Sequence, residues 1–260
     1  EFHDIFDETY VTFRKYEDSL YAGLATTSIS KQFHEILEKN KVFVFMSGTI
    51  HSPEVLEHIF GIKDFVIVEA EHLQQGAIDI HKTGKEFDCK YDNFLSGKRT
   101  RKDYLSALSI CLEKAKPPVL VHVNAFEDLP NERELNEYGI TNLISREMLI
   151  EQQKSDKEGK IVSDFKKKKF NVLFTTKCYR GIDFPGDTCN SIVFTKYPNP
   201  NMGETFWKVL QQTHPKYFWE FYKDKARRDF LQRVYRAVRS KNDHVFVLSP
   251  DLRVLNAVRN

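Results

Sequence analysis

No two of the four cysteines, Cys89, Cys111, Cys178 and Cys189, form a Cys-x-x-Cys pair, and no histidine stands at zinc-finger spacing from them. They read as reduced thiols in or near a core, which leaves no ligand set for a metal or an iron–sulfur cluster in this chain. Also missing is any apolar run near the roughly 18 residues that a membrane span requires. The opening Glu1-Phe-His-Asp-Ile-Phe6 has none of the order of a secretion signal, so an intracellular location without a membrane partner is expected. No Gly-x-x-x-x-Gly-Lys-Ser/Thr loop and no Asp-Glu-Ala-His-like box occurs. Neither the phosphate cradle nor the Mg2+ carboxylate of a self-sufficient nucleotide hydrolase is at hand. Charge of one sign is missing too. Lys and Arg number 39 against 37 Asp and Glu, a net +2, so any nucleic-acid contact must be a local patch.

What is present is the composition of a folded α/β protein: 260 residues, 41% apolar and 13% aromatic, enough to bury a core. Residues 1–40 read as a mainly helical lead-in, with Ile29, Phe33, Ile36 and Leu37 on one stripe. Phe2, Phe6, Tyr10 and Phe13 suggest a chain that opens mid-protein. From residue 41 to 260 short apolar runs alternate with capped helices. Buried strands are predicted at 41–46, 65–68, 119–123, 171–176, 191–194 and 245–248, with a weak one at 141–144. Helices are predicted from Ser52-Pro53-Glu54 to Gly61, at 104–115, 132–138 and 204–210, and after Ser249-Pro-Asp251. This is the grammar of a mostly parallel sheet flanked by helices.

Three stretches carry candidate chemistry. In Phe230–Ser240 a helical reading puts Gln232, Arg236 and Arg239 on one face at i, i+4 and i+7, with Leu231, Val234 and Val238 on the apolar side. Paired guanidiniums suit a phosphate ligand; the alternative is a solvated helix with salt-bridging arginines. In Arg180-Gly-Ile-Asp-Phe-Pro-Gly186 two glycines bracket Asp183 on a tight loop after a strand. Backbone amides there can meet phosphate, and the acid can hold a ribose hydroxyl or orient an arginine. The third is Ser47-Gly-Thr49, at the carboxyl end of a predicted strand, where ligands of open α/β sheets collect. Basic residues at 97–102 and 166–169 read either as phosphate grips or as solvated ends. The aromatic stretch Tyr217–Tyr222 reads as a base-stacking platform or, on the better reading, as core packing.

The order of these segments resembles a known family. Arg180-Gly-Ile-Asp-Phe-Pro-Gly186, Gln232-Arg-Val-Tyr-Arg-Ala-Val-Arg239 and Lys241-Asn-Asp-His244 resemble helicase motifs V and VI. Met46-Ser-Gly-Thr-Ile50 with Pro53 is similar to the Ser-Gly-Thr-Leu-Ser-Pro signature of the XPD/Rad3 and DinG branch of superfamily 2. Val119–Phe126 is similar to its motif IV strand. Two departures stand out: Tyr235 where the family usually has Gly, and Arg180 where an acid is frequent.

The resemblance implies the second, RecA-like three-layer motor domain of a larger DNA helicase. It implies Arg236 and Arg239 as arginine fingers toward the γ-phosphate, with Gln232 as a phosphate-side or water-side ligand. Gly181 and Asp183, with Arg180 beside them, would bind and couple nucleotide, and Ser47, Gly48, Thr49, Asn124 and Phe126 would line a single-strand groove or the cleft between motor domains. ATP and Mg2+ would be bound mainly by the protein's N-terminal motor domain, and an iron–sulfur cluster would belong there as well. The implied partner is single-stranded DNA, tracked 5′ to 3′ in repair or related processing, in the cytoplasm of a prokaryote or the nucleus of a eukaryote. On this reading the isolated chain is inactive as an ATPase. The competing reading, supported by Tyr235 and the absent phosphate loop, is a degenerate RecA-like module that binds nucleic acid or a partner without catalysis.

Overall fold

The computed structural model describes residues 3–68, 76–156, 158–177 and 181–259. In chain order the elements are strands β1 (Thr9–Tyr16) and β2 (Ser19–Thr26), helices α1 (Ile29–Leu37) and α2 (Pro53–His58), strand β3 (Ala77–Ile80), and helices α3 (Tyr91–Leu95) and α4 (Arg101–Lys114). There follow β4 (Val119–His122), α5 (Glu132–Tyr138), α6 (Arg146–Ser155), α7 (Lys160–Lys166), β5 (Val172–Thr175) and β6 (Ser191–Phe194). Helices α8 (Thr205–Thr213) and α9 (Pro215–Val234), strand β7 (His244–Leu248) and helix α10 (Leu252–Arg259) complete the described chain. The described residues form two compact units. One comprises those up to 68 with Asn199–Arg228; the other comprises those from 76 to Pro198 with Asp229 onward.

The second unit is the expected RecA-like three-layer α/β domain. Its five strands are all parallel, in the order β3-β7-β6-β4-β5. Side chains alternate across the sheet as a strand requires. Val119 and Val121 of β4 face a core with Leu105, Leu108, Leu129 and Leu149, whereas Leu120 faces the opposite core with Phe165, Phe184, Phe230 and Val254. Every residue of β4 and β6 is buried, which is why these strands read as continuous apolar runs. Local capping sets the helix starts. Thr100 and Asp103 form a reciprocal capping box at α4, and Asn131 and Glu134 do the same at α5, which Gly139 ends in a left-handed turn at φ 65°.

The first unit departs from the sequence reading. Helix α1 lies within the predicted lead-in, but β1 and β2 form an antiparallel hairpin pairing Thr9 with Thr26 through Tyr16 with Ser19. The strands predicted at 41–46 and 65–68 are absent. Val42, Val44 and Met46 are 78%, 78% and 90% exposed, and Val66 is 87% exposed, so neither run has a ladder partner among the described residues. An apolar run specifies burial but not the strand that completes its hydrogen bonds. Helix α2 is as predicted: Ser52 Oγ accepts from the Val55 N–H, Pro53 opens the first turn and Glu54 follows. The core of this unit is Val55, Ile59, Trp207, Leu210, Phe218, Phe221 and Tyr222.

In the sheet unit, β3 was not anticipated, and residues 141–144 form no strand. The chain enters β3 through Gly76, at φ +57°. A Cβ at Gly76 would sit 2.3 Å from the Asp243 carbonyl oxygen, 2.7 Å from Val238 Cγ1 and 2.9 Å from the Ser240 carbonyl oxygen. Gly139, at φ 65°, has nothing within 4 Å of that position. Gly76→Ala therefore combines backbone strain with a clash, and Gly139→Ala carries strain alone. The first is expected to lower the melting temperature by at least roughly 4 °C, the second by about half as much or less, as thermal unfolding of the two variants will show.

Candidate functional site

Helix α9 ends at Val234, five residues sooner than an unbroken helical face through Arg239 requires. The hydrogen bonds show why. Tyr235 N–H still reaches the Leu231 carbonyl at 2.9 Å, but Ala237 N–H closes a tighter bond to Val234 at 3.1 Å, and the Arg236 carbonyl accepts from Phe184 N–H at 2.7 Å. The Asp243 carboxylate then takes the Arg239 N–H (2.6 Å), the Ser240 N–H (2.8 Å), the Ser240 hydroxyl (3.0 Å) and the Gly186 N–H (3.1 Å). The backbone past Val234 is thus wound around one acid rather than continued as helix. Gln232 stays on the helix, half-buried, while Arg236 and Arg239 sit on the turn beyond it.

The turn still brings the two arginines together. Arg236 Nη1 donates to Asp183 Oδ1 at 2.9 Å, and Arg239 Nη2 donates to the same oxygen at 2.5 Å. Partial burial pushes the Asp183 carboxyl up, but the hydrogen bonds and charges of Arg239 and Arg236 outweigh it and hold the group below the usual carboxylate range. Arg236 is the more enclosed guanidinium, and its Nε is buried with no hydrogen-bond partner. Gly181, two residues before Asp183, takes φ +73° and is exposed. Arg180 lies outside the described residues, as does Cys178. Burial pushes the thiols of Cys89, Cys111 and Cys189 up, as inert core cysteines require. No group of acids, histidines and cysteines among the described residues could hold a metal ion.

Asn124 and Phe126 follow β4 at the carboxyl end of the sheet, whereas the arginine turn leads into the amino end of β7. The Asn124 N–H donates to Thr195 Oγ1 at 3.0 Å, and Phe126 packs half-buried against the core. Beneath them Asp128, buried, accepts from the Thr195 hydroxyl (2.9 Å), the Ala125 N–H (3.2 Å) and Lys196 (2.7 Å). Ser47, Gly48 and Thr49 belong to the other unit. Ser47 and Gly48 are exposed, but Thr49 is buried and its carbonyl accepts from Arg228 Nε at 3.3 Å. The same segment is tied down by Asp224, which bonds the His51 ring and takes the Ser52 N–H at 2.9 Å. Sequence reasoning missed Asp224, Arg228 and Asp128, because the partners that tie them into the fold include residues 67 to 179 positions away. Asp243 had a local signal, a serine three residues before it, as in side-chain-capped turns.

The basic stretches are largely spent on local contacts. Arg101 pairs with Glu134, Arg99 lies over the Phe87 ring, Lys168 pairs with Asp187 and Lys169 with Asp164. No described helix is long and apolar enough to cross a membrane.

A model of the helicase C-terminal domain family matches residues 109–260. Among solved structures, one titled XPD_Helicase is similar at 19% identity with a TM-score of 0.67, covering 96% of this chain and 46% of that one. Another, titled XPD_APO, is similar at 20% identity with a TM-score of 0.66, covering 96% and 53%. The Xpd4 structure from S. tokodaii gives 17% identity and a TM-score of 0.54, covering 92% and 46%. The chain spans about half the length of the solved chains it matches. No curated protein matches it.

Asp243 and Asp183 should separate in a stability measurement. Asp243 is 6% exposed, and its loss leaves several turn donors unpaired, so Asp243→Ala is expected to cost ~2–3 kcal/mol in denaturant unfolding. Asp183 is half-exposed, and Asp183→Ala should stay within ~1 kcal/mol of wild type. Burial pushes the Asp243 carboxyl up, yet the hydrogen bonds from Arg239, Ser240 and Gly186 bring it below the ordinary value. A lowered folded-state pKa means that this stabilisation is complete above about pH 4, the unfolded value. The gap between wild type and Asp243→Ala should therefore hold at neutral pH and close as the pH falls below that.

Proposed function

Because the chain belongs to the helicase C-terminal domain family, we propose that it is the second motor domain of an ATP-dependent DNA helicase of the XPD, Rad3 and DinG branch. The observation that carries this reading is the convergence of Arg236 and Arg239 on one oxygen of Asp183. Two guanidiniums with a shared counter-charge are pre-organised to meet the charge that develops on a phosphoryl group in transfer. In this reading Arg236 and Arg239 act as fingers and Gln232 as a phosphate-side or water-side ligand. Gly181, Asp183 and Arg180 form the nucleotide-coupling loop.

The chain carries no phosphate loop and no Mg2+-binding acidic box of its own. ATP and Mg2+ would be held mainly by a first motor domain elsewhere in the protein, as would any iron–sulfur cluster. Closure of the two domains on ATP and their release after hydrolysis would move single-stranded DNA, 5′ to 3′ by family resemblance, with Ser47, Gly48, Thr49, Asn124 and Phe126 lining either the single-strand groove or the cleft between motor domains. The isolated chain would not hydrolyse ATP. The competing reading, a binding module without catalysis, draws on Tyr235 in the position where the family usually has Gly.

Single-stranded-DNA-stimulated ATP hydrolysis by the full-length protein separates the two. Arg236→Ala and Arg239→Ala are each expected to lower turnover by about 10³-fold or more with nucleotide binding retained. Unchanged turnover in both variants would remove the finger assignment. A wild-type protein that binds DNA without hydrolysing ATP would establish the binding module instead.

A further inference from the structure

The aromatic stretch at the start of α9 divides residue by residue. Phe218, Phe221 and Tyr222 are buried at 0%, 7% and 9% exposure, packed with Trp207 in the core of their unit. Trp219 is 52% exposed. It is nonetheless firmly seated. Its ring meets Phe218 edge-on at 5.1 Å between centroids and Tyr222 edge-on at 5.8 Å, and the Tyr222 hydroxyl donates to the Pro200 carbonyl at 2.8 Å. An indole this open, on a foundation this fixed, is available to a ligand without the entropy cost of ordering it.

The two charges nearest to it around the helix are both positive. At 100° per residue, Lys216 and Lys223 fall about 60° and 40° to the same side of Trp219, and both are exposed. Glu220 falls about 100° away, and Asp224, farther still, is engaged with His51 and Ser52. The Lys216 ammonium lies 4.8 Å from the Tyr217 ring centroid and is hydrogen-bonded to Tyr217.

We propose that the Lys216, Trp219 and Lys223 face of α9 binds single-stranded nucleic acid, the indole stacking on one base and the two ammonium groups meeting flanking phosphates. Charge complementarity selects a polyanion, and the exposed ring selects one whose bases are free to stack; a duplex offers no base face to it. The proposal rests on the single-strand reading given above. It adds a contact beyond Ser47, Gly48, Thr49, Asn124 and Phe126.

The test uses the full-length protein, a fluorescein-labelled oligothymidylate and a matched oligonucleotide carrying 5-iodouracil. Irradiation should cross-link the iodinated base to Trp219, located by mass spectrometry of the tryptic peptides. Trp219→Ala is expected to weaken binding by roughly 5- to 150-fold, and Trp219→Phe, which keeps a stacking ring and the fold, by much less. Replacing Lys216 and Lys223 together with glutamine should lower the slope of log affinity against log salt by about 1.4, two phosphates' worth. Wild-type affinity in Trp219→Ala with cross-links only elsewhere overturns this face and leaves the single-strand reading standing. Equal losses in Trp219→Ala and Trp219→Phe also overturn it, because stacking would then not be what Trp219 contributes. Failure of the wild-type protein to bind the oligothymidylate removes the single-strand reading itself, and this face with it.

Discussion

Two guanidiniums side by side repel by on the order of 4 kcal/mol at ~4 Å near a protein surface, so presenting them together requires both a counter-charge and a chain that cannot relax away. Asp183 supplies the first and Asp243 the second. The division of labour follows from exposure. Asp183, half-open to solvent, offsets part of the charge of Arg236 and Arg239, whereas Asp243 is buried and gathers four donors from the turn and from Gly186. Gly76 belongs to the same arrangement, because any side chain there would occupy the space of the turn. The arginine geometry is therefore a property of three loops meeting, not of one helix.

That distinction bears on how such a site can change. On a helix, the relation between positions 236 and 239 is fixed by the helical repeat and persists whatever the neighbours do. On a turn wound around a carboxylate, it is fixed by hydrogen bonds from residues 183 to 186 and from 239 to 243. A shift of the Asp183 loop would carry Arg236 with it, since the Phe184 N–H bonds the Arg236 carbonyl. Coupling between the two segments is thus built into the backbone as well as the ion pairs.

The sheet was legible in the sequence for a definite reason. β4, β5, β6 and β7 are largely apolar runs because a parallel sheet is covered on both faces. The same rule failed at 41–46 and 65–68, where Val42, Val44, Met46 and Val66 are equally apolar but stand exposed. β3 escaped notice for the complementary reason: an edge strand, half-covered, with Asp79 in its middle, it has too little apolar sequence to announce itself. Arg236, Arg239 and Asp183 could be selected as residues, but not their conformation. The helical repeat extends smoothly through Ser240, and only Asp243, reaching back three and four residues, shows where it breaks.

The aromatic stretch 217–222 illustrates why composition alone could not decide between a core and a binding platform. Six residues of helix cover more than a full turn, so no single assignment holds for all of them. Phe218, Phe221 and Tyr222 recur at three- and four-residue spacing and share the buried face, while Trp219 is rotated away from it. Core packing is the correct reading for those three and the wrong one for Trp219. The deciding information was periodicity applied to individual positions, and it identifies as exceptional the residue whose burial would be expected from its size.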